Sequence, residues 1–278
     1  MAEYKKTGYL QSNFRLFHLI DDKRDQFQYH YHDFEKILIF IKGNVTYHIE
    51  GRIYPLCPYD IVLVRAGEVH KPVIEKKSVY ERLILYISPE FLASYETEGA
   101  DLSECLKKSS GDASHVLRLP AFAREELMGL LKELEESFQK DDFANELYQK
   151  TLFLEFMIKL NRTLSDCSVQ YMERKASNEK IVAVIDYLND HLQDELTIEQ
   201  LANHFYLSKY YLMHRFKEET GYTIGGYVAT KRLLRARKLI GEGALVTEAC
   251  YECGFRNYST FSRAYKKQFG VSAKKYKV

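Results

Sequence analysis

The chain has 278 residues, of which 40 are Lys or Arg and 39 are Asp or Glu, giving a formal net charge of +1. Apolar residues make up 46% and charged residues 28%, proportions that exclude a disordered or collagen-like chain. Its longest aliphatic or aromatic runs are five residues long, whereas a membrane-spanning helix needs roughly 20. The first residues do not resemble a secretory signal, and the five scattered cysteines form no disulfide framework. We therefore expect a cytoplasmic protein of about two domains with no membrane partner.

The positive charge is concentrated at the C-terminal end. From Ser208 to Val278 the chain carries 15 Lys or Arg and 5 Asp or Glu, a net +10, so the first 207 residues carry −9. A basic module on an acidic body predicts binding to a polyanion. A basic tail that only aids solubility is the alternative.

Residues 1–120 are predicted to form a strand-rich domain. All five prolines lie there, and turn residues separate short apolar runs at about the 8–12-residue spacing of sandwiches and barrels. The predicted strands include Ile37–Ile41, Val45–Ile49, Ile61–Val64 and Tyr80–Ile87. This pattern favours a sandwich or a small barrel.

Residues 121–164 are predicted to form two helices. Apolar residues recur with the helical period at Leu127, Leu130, Leu131, Leu134 and Phe138, and a second apolar helix covers about residues 143–160. These helices exceed what a small barrel needs as cover. Their apolar faces fit either a homodimer interface or packing within the chain.

A polar segment without clear period, residues 165–177, is the predicted linker, and residues 178–278 are helical in pattern throughout. Ile181, Val184 and Leu188 lie on one apolar stripe. Thr197 followed by Gln200 fits a capping box at the start of the next helix.

The basic region contains an internal repeat. Six residues recur 49 positions later: Ser208, Leu212, Phe216, Lys217, Gly221 and Tyr227 correspond to Asn257, Phe261, Tyr265, Lys266, Gly270 and Tyr276. Upstream the offset is 48, so the second turn has one extra residue, around Gly254 and Phe255. Each copy predicts a short helix, a tight turn and a second helix that begins at a capping residue and ends at glycine. That arrangement is a helix-turn-helix unit.

The repeat resembles the DNA-binding domain of the AraC/XylS family of bacterial transcription regulators over about 100 residues. The matching positions include Leu201, Ala202, Tyr211, Arg232, Ala236, Ala249, Gly254 and Phe255. Ile224 and Ala273 stand where the family commonly has proline. Cys250 and Cys253 fall on positions that the family fills with small apolar residues, so we interpret them as core residues rather than a zinc or redox site.

The resemblance implies that the second helix of each unit enters a DNA major groove. The expected contacts with double-stranded DNA are Lys209, Tyr210, Met213, His214 and Lys217 from the first unit, and Asn257, Tyr258, Ser259, Ser262, Arg263 and Lys266 from the second. Arginine and asparagine suit base edges. The residues best suited to phosphate are Lys209, Lys217, Lys231, Arg235, Lys266 and Lys267.

The first 90 residues resemble the cupin-like effector domain of the same family. The resemblance rests on His30, His32, Glu35, Gly43, Gly51, Pro58, Asp60 and His70. Cupin enzymes use such His and Glu residues as metal ligands, but Glu35 follows His32 more closely than in the enzymes, and Tyr59 replaces the usual turn glycine. The resemblance implies a regulator domain without metal or cofactor. The alternative function is that of a metal-dependent cupin enzyme fused to a DNA-binding module.

The expected effector contacts are His32, Glu35, Tyr47 and His70. A chain with 22 Tyr and no Trp suits a sugar or a small aromatic effector. The chain is thus predicted to be an α+β multidomain, non-catalytic regulator with a cupin-like β-barrel, a helical segment that forms a homodimer, and an all-α double helix-turn-helix. A regulator without an effector is a further alternative, and the residues do not decide between activation and repression.

Overall fold

The computed structural model describes Leu10 and residues 12–21, 27–75, 78–109, 114–165, 169–172, 175–176 and 178–275. Ten strands form two antiparallel sheets within these residues. The strands are β1 (Phe14–Asp21), β2 (Glu35–Lys42), β3 (Val45–Ile49), β4 (Arg52–Pro55), β5 (Ile61–Val64), β6 (His70–Ile74), β7 (Tyr80–Ile87), β8 (Val116–Arg118), β9 (Gln170–Tyr171) and β10 (Lys175–Ala176). One sheet has the order β1-β7-β2-β5-β8-β9 and the other β10-β4-β3-β6. The four predicted strands are confirmed.

The central strands β2, β5 and β7 of the larger sheet are buried on both faces, which explains their continuous apolar runs. Side chains alternate along β2, so Leu38 and Phe40 point toward the smaller sheet and pack with Tyr47. Ile37 and Ile39 point the other way, into a separate core. The described strands therefore form a two-sheet sandwich, and their hydrogen bonds do not close into a continuous barrel.

The outer core lies between the larger sheet and four helices, α1 (Pro89–Ala93), α2 (Glu104–Ser109), α3 (Ala121–Ser137) and α4 (Asn145–Ser165). Leu131 of α3 and Phe153 and Phe156 of α4 are completely buried there. Packing within the chain therefore accounts for one side of these helices. Leu147 and Ile158 remain exposed on α4.

Short strands lie within the segment predicted as a linker. β9 pairs with β8 of the larger sheet, and β10 pairs with β4 of the smaller sheet. The described part of residues 165–177 is thus held against both sheets. Residues 166–168, 173–174 and 177 lie outside the described part.

The C-terminal region is helical, with α5 (Glu179–Asp190), α6 (Ile198–His204), α7 (Lys209–Thr220), α8 (Ile224–Gly241), α9 (Val246–Glu252) and α10 (Tyr258–Phe269), followed by a 3₁₀ turn (Ala273–Lys275). The predicted capping box of Thr197 and Gln200 is present. Ser208 and Asn257 cap α7 and α10 by accepting backbone N–H groups. Gly221 and Gly270 end these helices in the left-handed region, at φ 76° and 75°.

The extra residue of the second unit is Arg256. In the first unit the Leu207 N–H donates to the Ala202 carbonyl, and in the second unit the Phe255 N–H donates to the Cys250 carbonyl, 48 positions later. The helix caps that follow, Ser208 and Asn257, are 49 positions apart. Tyr206 and Gly254, the matching turn residues, both have positive φ. Tyr276, the last residue of the predicted repeat, lies outside the described residues.

Among the described residues, no helix is long and apolar enough to cross a membrane.

Candidate DNA interface and ligand cavity

The first recognition helix, α7, presents a mixed polar and aromatic face. Leu212 and Phe216 are completely buried, and this orientation leaves Tyr210 76% and Met213 44% exposed. The predicted contacts Lys209, His214 and Lys217 are exposed on the same helix. The ring of His214 stacks beside that of Tyr210, with centroids 5.9 Å apart.

The second recognition helix, α10, has a more basic face. Ser259, Arg263 and Lys266 are exposed, and Ser262 is half-buried. Tyr258 is half-buried and packs against Phe261, so part of its ring belongs to the core. Asn257 is exposed, but its Oδ1 caps the helix by accepting the Thr260 N–H at 3.0 Å. This favours Ser259 and Arg263 over Asn257 for contacts with bases.

Ion pairs occupy several of the basic residues expected to contact phosphate. The Lys231 Nζ lies 2.8 Å from Glu50 Oε1 and its side chain is only 13% exposed, so this lysine is engaged within the chain. Lys209 pairs with Glu199, and Arg235 pairs with Glu252. Within the described residues no ion pair engages Lys217, Lys266, Lys267 or Lys274, which leaves these four charges available to DNA.

A cavity of about 520 Å³ lies between the two sheets, within the size range of small-molecule sites. Apolar and aromatic side chains provide much of its wall: Leu19, Phe27, Leu38, Pro72, Ile84 and Tyr86. Its polar wall consists of Gln28, Tyr29, His30, His32, Lys36, Tyr47, Tyr80 and Arg82.

The four predicted effector residues occupy different places relative to this cavity. His32 and Tyr47 line it. His70 is completely buried behind the wall, where its Nε2 lies 3.3 Å from the Lys36 Nζ. Glu35 is not a lining residue, because alternation along β2 turns it away from Lys36 and Leu38, and its carboxylate accepts the Ala66 N–H at 3.0 Å. Burial raises the pKa of Glu35 to about 7.

Lys36 and His70 form a buried hydrogen-bonded pair. The His70 Nδ1 donates to the Glu68 carbonyl at 2.9 Å, so its Nε2 is the acceptor for the Lys36 ammonium. Lys36 also donates to the Tyr47 hydroxyl at 2.9 Å. Burial is the main cause that holds the pKa of His70 well below its usual value, and burial lowers the pKa of Lys36 to about 7.

Three imidazoles meet beside the cavity. One nitrogen each of His30, His32 and His70 lies within 4.8 Å of the others, a spacing that resembles a metal site. However, the Lys36 ammonium occupies the acceptor nitrogen of His70, and a metal cation would have to displace it. Glu35, the fourth ligand in the cupin enzymes, is turned toward Ala66. A metal ion held by the three imidazoles would therefore need Lys36 to move and would lack Glu35 as a ligand.

Comparison with known families matches both halves of the chain. The family described as the AraC-like ligand binding domain matches residues 17–157, about half of the chain. The family described as a helix-turn-helix domain matches residues 201–277. This chain belongs to the AraC family. It is a DNA-binding transcription regulator with an N-terminal ligand-binding domain.

Individual relatives are similar over most of this regulator. The HTH-type transcriptional activator RhaS of Escherichia coli (strain SMS-3-5 / SECEC) is 26% identical over 258 residues, which cover 88% of this chain and 86% of the relative. RhaS of Shigella sonnei (strain Ss046) has the same identity and coverage. Among solved structures, the DNA-binding domain of AdpA in complex with a target DNA is 28% identical over 34% of this chain and 86% of that one, with a TM-score of 0.33.

Sequence reasoning missed several residues of these two surfaces. Near the recognition helices, Tyr206 is 93% exposed at the turn before α7, and Arg256 is exposed at the matching turn before α10, where it pairs with Glu195. In the cavity, the missed residues are Lys36, Tyr80 and Arg82. Lys36 and Arg82 each lie near the start of an apolar strand, next to Glu35 and Glu81, so the sequence alone did not single them out.

The two domains of the regulator meet along residues 27–34, which we call the coupling segment. Its Tyr29 packs against Gly221, and the Tyr222 hydroxyl donates to the Tyr29 carbonyl at 3.1 Å. Farther along the segment, the Gln268 side chain donates to the Tyr31 hydroxyl, and Arg237 pairs with Asp33 at 2.6 Å. The same segment supplies cavity-lining residues, including His30 and His32. One stretch of chain therefore borders both the cavity and the DNA-binding domain.

Proposed function

We propose that this regulator binds a small effector in the cavity between the sheets and transmits its presence to the double helix-turn-helix through the coupling segment. The observation that supports this most directly is the alternation along that segment. Gln28, His30 and His32 face the cavity, whereas Tyr31 and Asp33 contact the DNA-binding domain, and Tyr29 does both. A ligand that displaces the cavity-facing residues therefore also displaces the residues that contact the DNA-binding domain.

The effector acts by binding one arrangement of the two domains better than another, because a ligand with equal affinity for both shifts nothing. The regulator has no catalytic role in this proposal, which is supported by the Lys36 contact with His70 Nε2 and by the orientation of Glu35 away from the imidazoles. A regulator without an effector is disfavoured by the polar cavity. The relatives named as transcriptional activators favour activation. We also propose that the regulator acts in the cytoplasm.

The test of this function is the coupling between cavity and DNA. A compound that binds the cavity should change operator affinity about 5- to 150-fold, the usual range of allosteric coupling. Asp33→Ala should reduce that factor, whereas Lys132→Ala, on the exposed side of α3, should leave it unchanged. Fluorescence anisotropy of labelled operator DNA measures it. A compound bound in the cavity that leaves operator affinity the same would contradict the proposal.

We also propose that α4 forms the homodimer interface. Leu147 is 65% and Ile158 39% exposed, with the half-buried Leu154 between them at helical spacing. Leu147 and Ile158 lie on the side of α4 away from the core residues Phe153 and Phe156, and Leu154 packs partly against that core. Pairing with a second copy would cover the exposed side chains.

The dimer proposal predicts a change of mass in solution. Replacing Leu147 and Ile158 together by Glu should convert the dimer to a monomer, because paired α4 helices would then bring like charges together. Light scattering after gel filtration measures the mass. Glu146→Lys, exposed one position away, is the matched control and should stay dimeric. A variant with both Glu substitutions that remains a dimer would place the interface elsewhere.

Operator binding should be strongly salt-dependent. Four exposed lysines have no ion pair within the described structure, and each phosphate contact contributes a slope of about −0.9 in log affinity against log salt. We expect a slope of about −3 to −4 per subunit from titrations between low and moderate salt. Lys266→Ala should reduce this slope by about 1. An affinity that does not change with salt would contradict the electrostatic contribution.

A further inference from the structure

The cavity contains a buried ammonium without a counterion. Lys36 is 5% exposed, and its Nζ donates to the Tyr47 hydroxyl and to His70 Nε2. An ammonium has three donors, and within the described residues no carboxylate pairs with it. The surrounding imidazoles offer no negative charge. A buried unpaired cation is costly to the fold, so its presence at the wall of a cavity points to a ligand that compensates it.

A second set of polar atoms lies on β7 in the same cavity. Arg82 is buried and pairs with Asp21, but its Nε has no hydrogen-bond partner among the described residues. The hydroxyl of Tyr80 is likewise buried without a partner there. The Arg82 guanidinium stacks on the Tyr80 ring, 4.1 Å from its centroid, which holds the two groups together. They can bind an acceptor group of the ligand.

We propose that the effector is a small organic acid whose carboxylate binds Lys36 and whose apolar or aromatic body packs on Leu38, Ile84 and Tyr86. This assignment rests on the proposed function, since it names the ligand of the same cavity. A second acceptor on the ligand, such as a hydroxyl, would meet Arg82 Nε and the Tyr80 hydroxyl.

The balance of charge in the cavity selects a single carboxylate. Lys36 and Arg82 contribute two positive charges, and Asp21 neutralises one of them. One negative charge on the ligand completes the balance. A phosphate dianion would exceed it and would face the Asp21 carboxylate. A bound carboxylate would stabilise the protonated form of Lys36, whose pKa burial lowers, whereas a neutral sugar would not.

The test compares acids with their own neutral amides on the full-length protein. The probes are benzoate and benzamide, phenylacetate and phenylacetamide, and hexanoate and hexanamide. Thermal shift finds the binders, and isothermal titration calorimetry measures their affinity. We expect at least one acid to raise the melting temperature while its amide does not. Lys36→Met should weaken that acid about 30-fold or more, the scale for losing a buried charged contact.

Lys42→Met is the matched control, because Lys42 lies at the exposed end of the same strand. It should leave the affinity for the acid unchanged. Without ligand, the far-UV circular dichroism of Lys36→Met should match that of the unsubstituted protein, which shows that the variant folds.

Three results would overturn the assignment: an amide that binds as tightly as its acid, an acid whose affinity Lys36→Met leaves unchanged, or no acid that binds. A neutral compound that binds and changes operator affinity would keep the proposed function and overturn the organic acid. An acid that binds through Lys36 without changing operator affinity would support the organic acid and overturn the proposed function.

Discussion

Replacing Glu50 by Gln is expected to lower the free energy of unfolding by about 3–5 kcal/mol, the cost of breaking a buried ion pair from one side. Glu50 stands at the tight turn between β3 and β4, where Glu50 and Gly51 have φ of 47° and 76°. Its carboxylate accepts from Lys231 and from the Tyr227 hydroxyl, both of the DNA-binding domain, and from the Val69 N–H. Glutamine keeps an acceptor for the Val69 N–H but leaves the Lys231 ammonium without a counterion.

A double-mutant cycle in urea, followed by circular dichroism, identifies the pair as the cause. Glu50→Gln combined with Lys231→Met should cost at least about 1 kcal/mol less than the sum of the single substitutions, because no unpaired charge remains. The exposed pair Lys238 and Glu242 on the same helix is the control, and Lys238→Met should cost under about 0.5 kcal/mol. Additive costs at Glu50 and Lys231 would show that the pair does not join the domains.

The second large effect concerns how the two recognition helices divide the operator. The connecting helix α8 has 18 residues, which at 1.5 Å per residue span about 27 Å. With the width of the packed units, α7 and α10 come to about one DNA turn apart, ~34 Å, so one subunit should enter two successive major grooves. His214→Ala should then change base preference in one segment, and Arg263→Ala in another about 10 base pairs away. Each should cost about 1–3 kcal/mol at its own base pairs.

Lys266→Ala separates base reading from phosphate binding. It should lower the affinity for all operator variants by the same factor. The control is Lys132→Ala, which is far from both recognition helices in the sequence and should leave every affinity unchanged. Affinities for a set of single base-pair substitutions measure these effects. If His214→Ala and Arg263→Ala changed preference at the same base pairs, the two-groove arrangement would be wrong.

The helical half of the fold was predictable because its signals are local. Helix caps and helix-ending glycines act within one helical turn, as at Ser208 and Asn257 and at Gly221 and Gly270. The internal repeat shows each of these signals twice. The strands β2, β3, β5 and β7 were predictable from their runs of apolar residues. The short strands β8, β9 and β10 were not, because two or three residues carry no periodicity and their pairing depends on distant strands.

The ligand cavity was predictable only in part. His32 and Tyr47 lie at its wall, but the choice between Glu35 and Lys36 depends on the direction of alternation in β2, which the apolar runs on both faces of that strand conceal. The contacts of Glu50, Asp33 and Tyr31 with the DNA-binding domain join residues about 180 to 240 positions apart in the chain. No local pattern encodes such contacts.

Selection of bound DNA from a random-sequence pool by the full-length protein tests the central claim most directly. Two helix-turn-helix units that read DNA together predict an enriched motif with two conserved blocks one helical turn apart, about 10 base pairs from centre to centre. Footprinting should show protection of both blocks on one face of the duplex. A pool that stays random after repeated rounds, or a motif with a single block, would contradict the account.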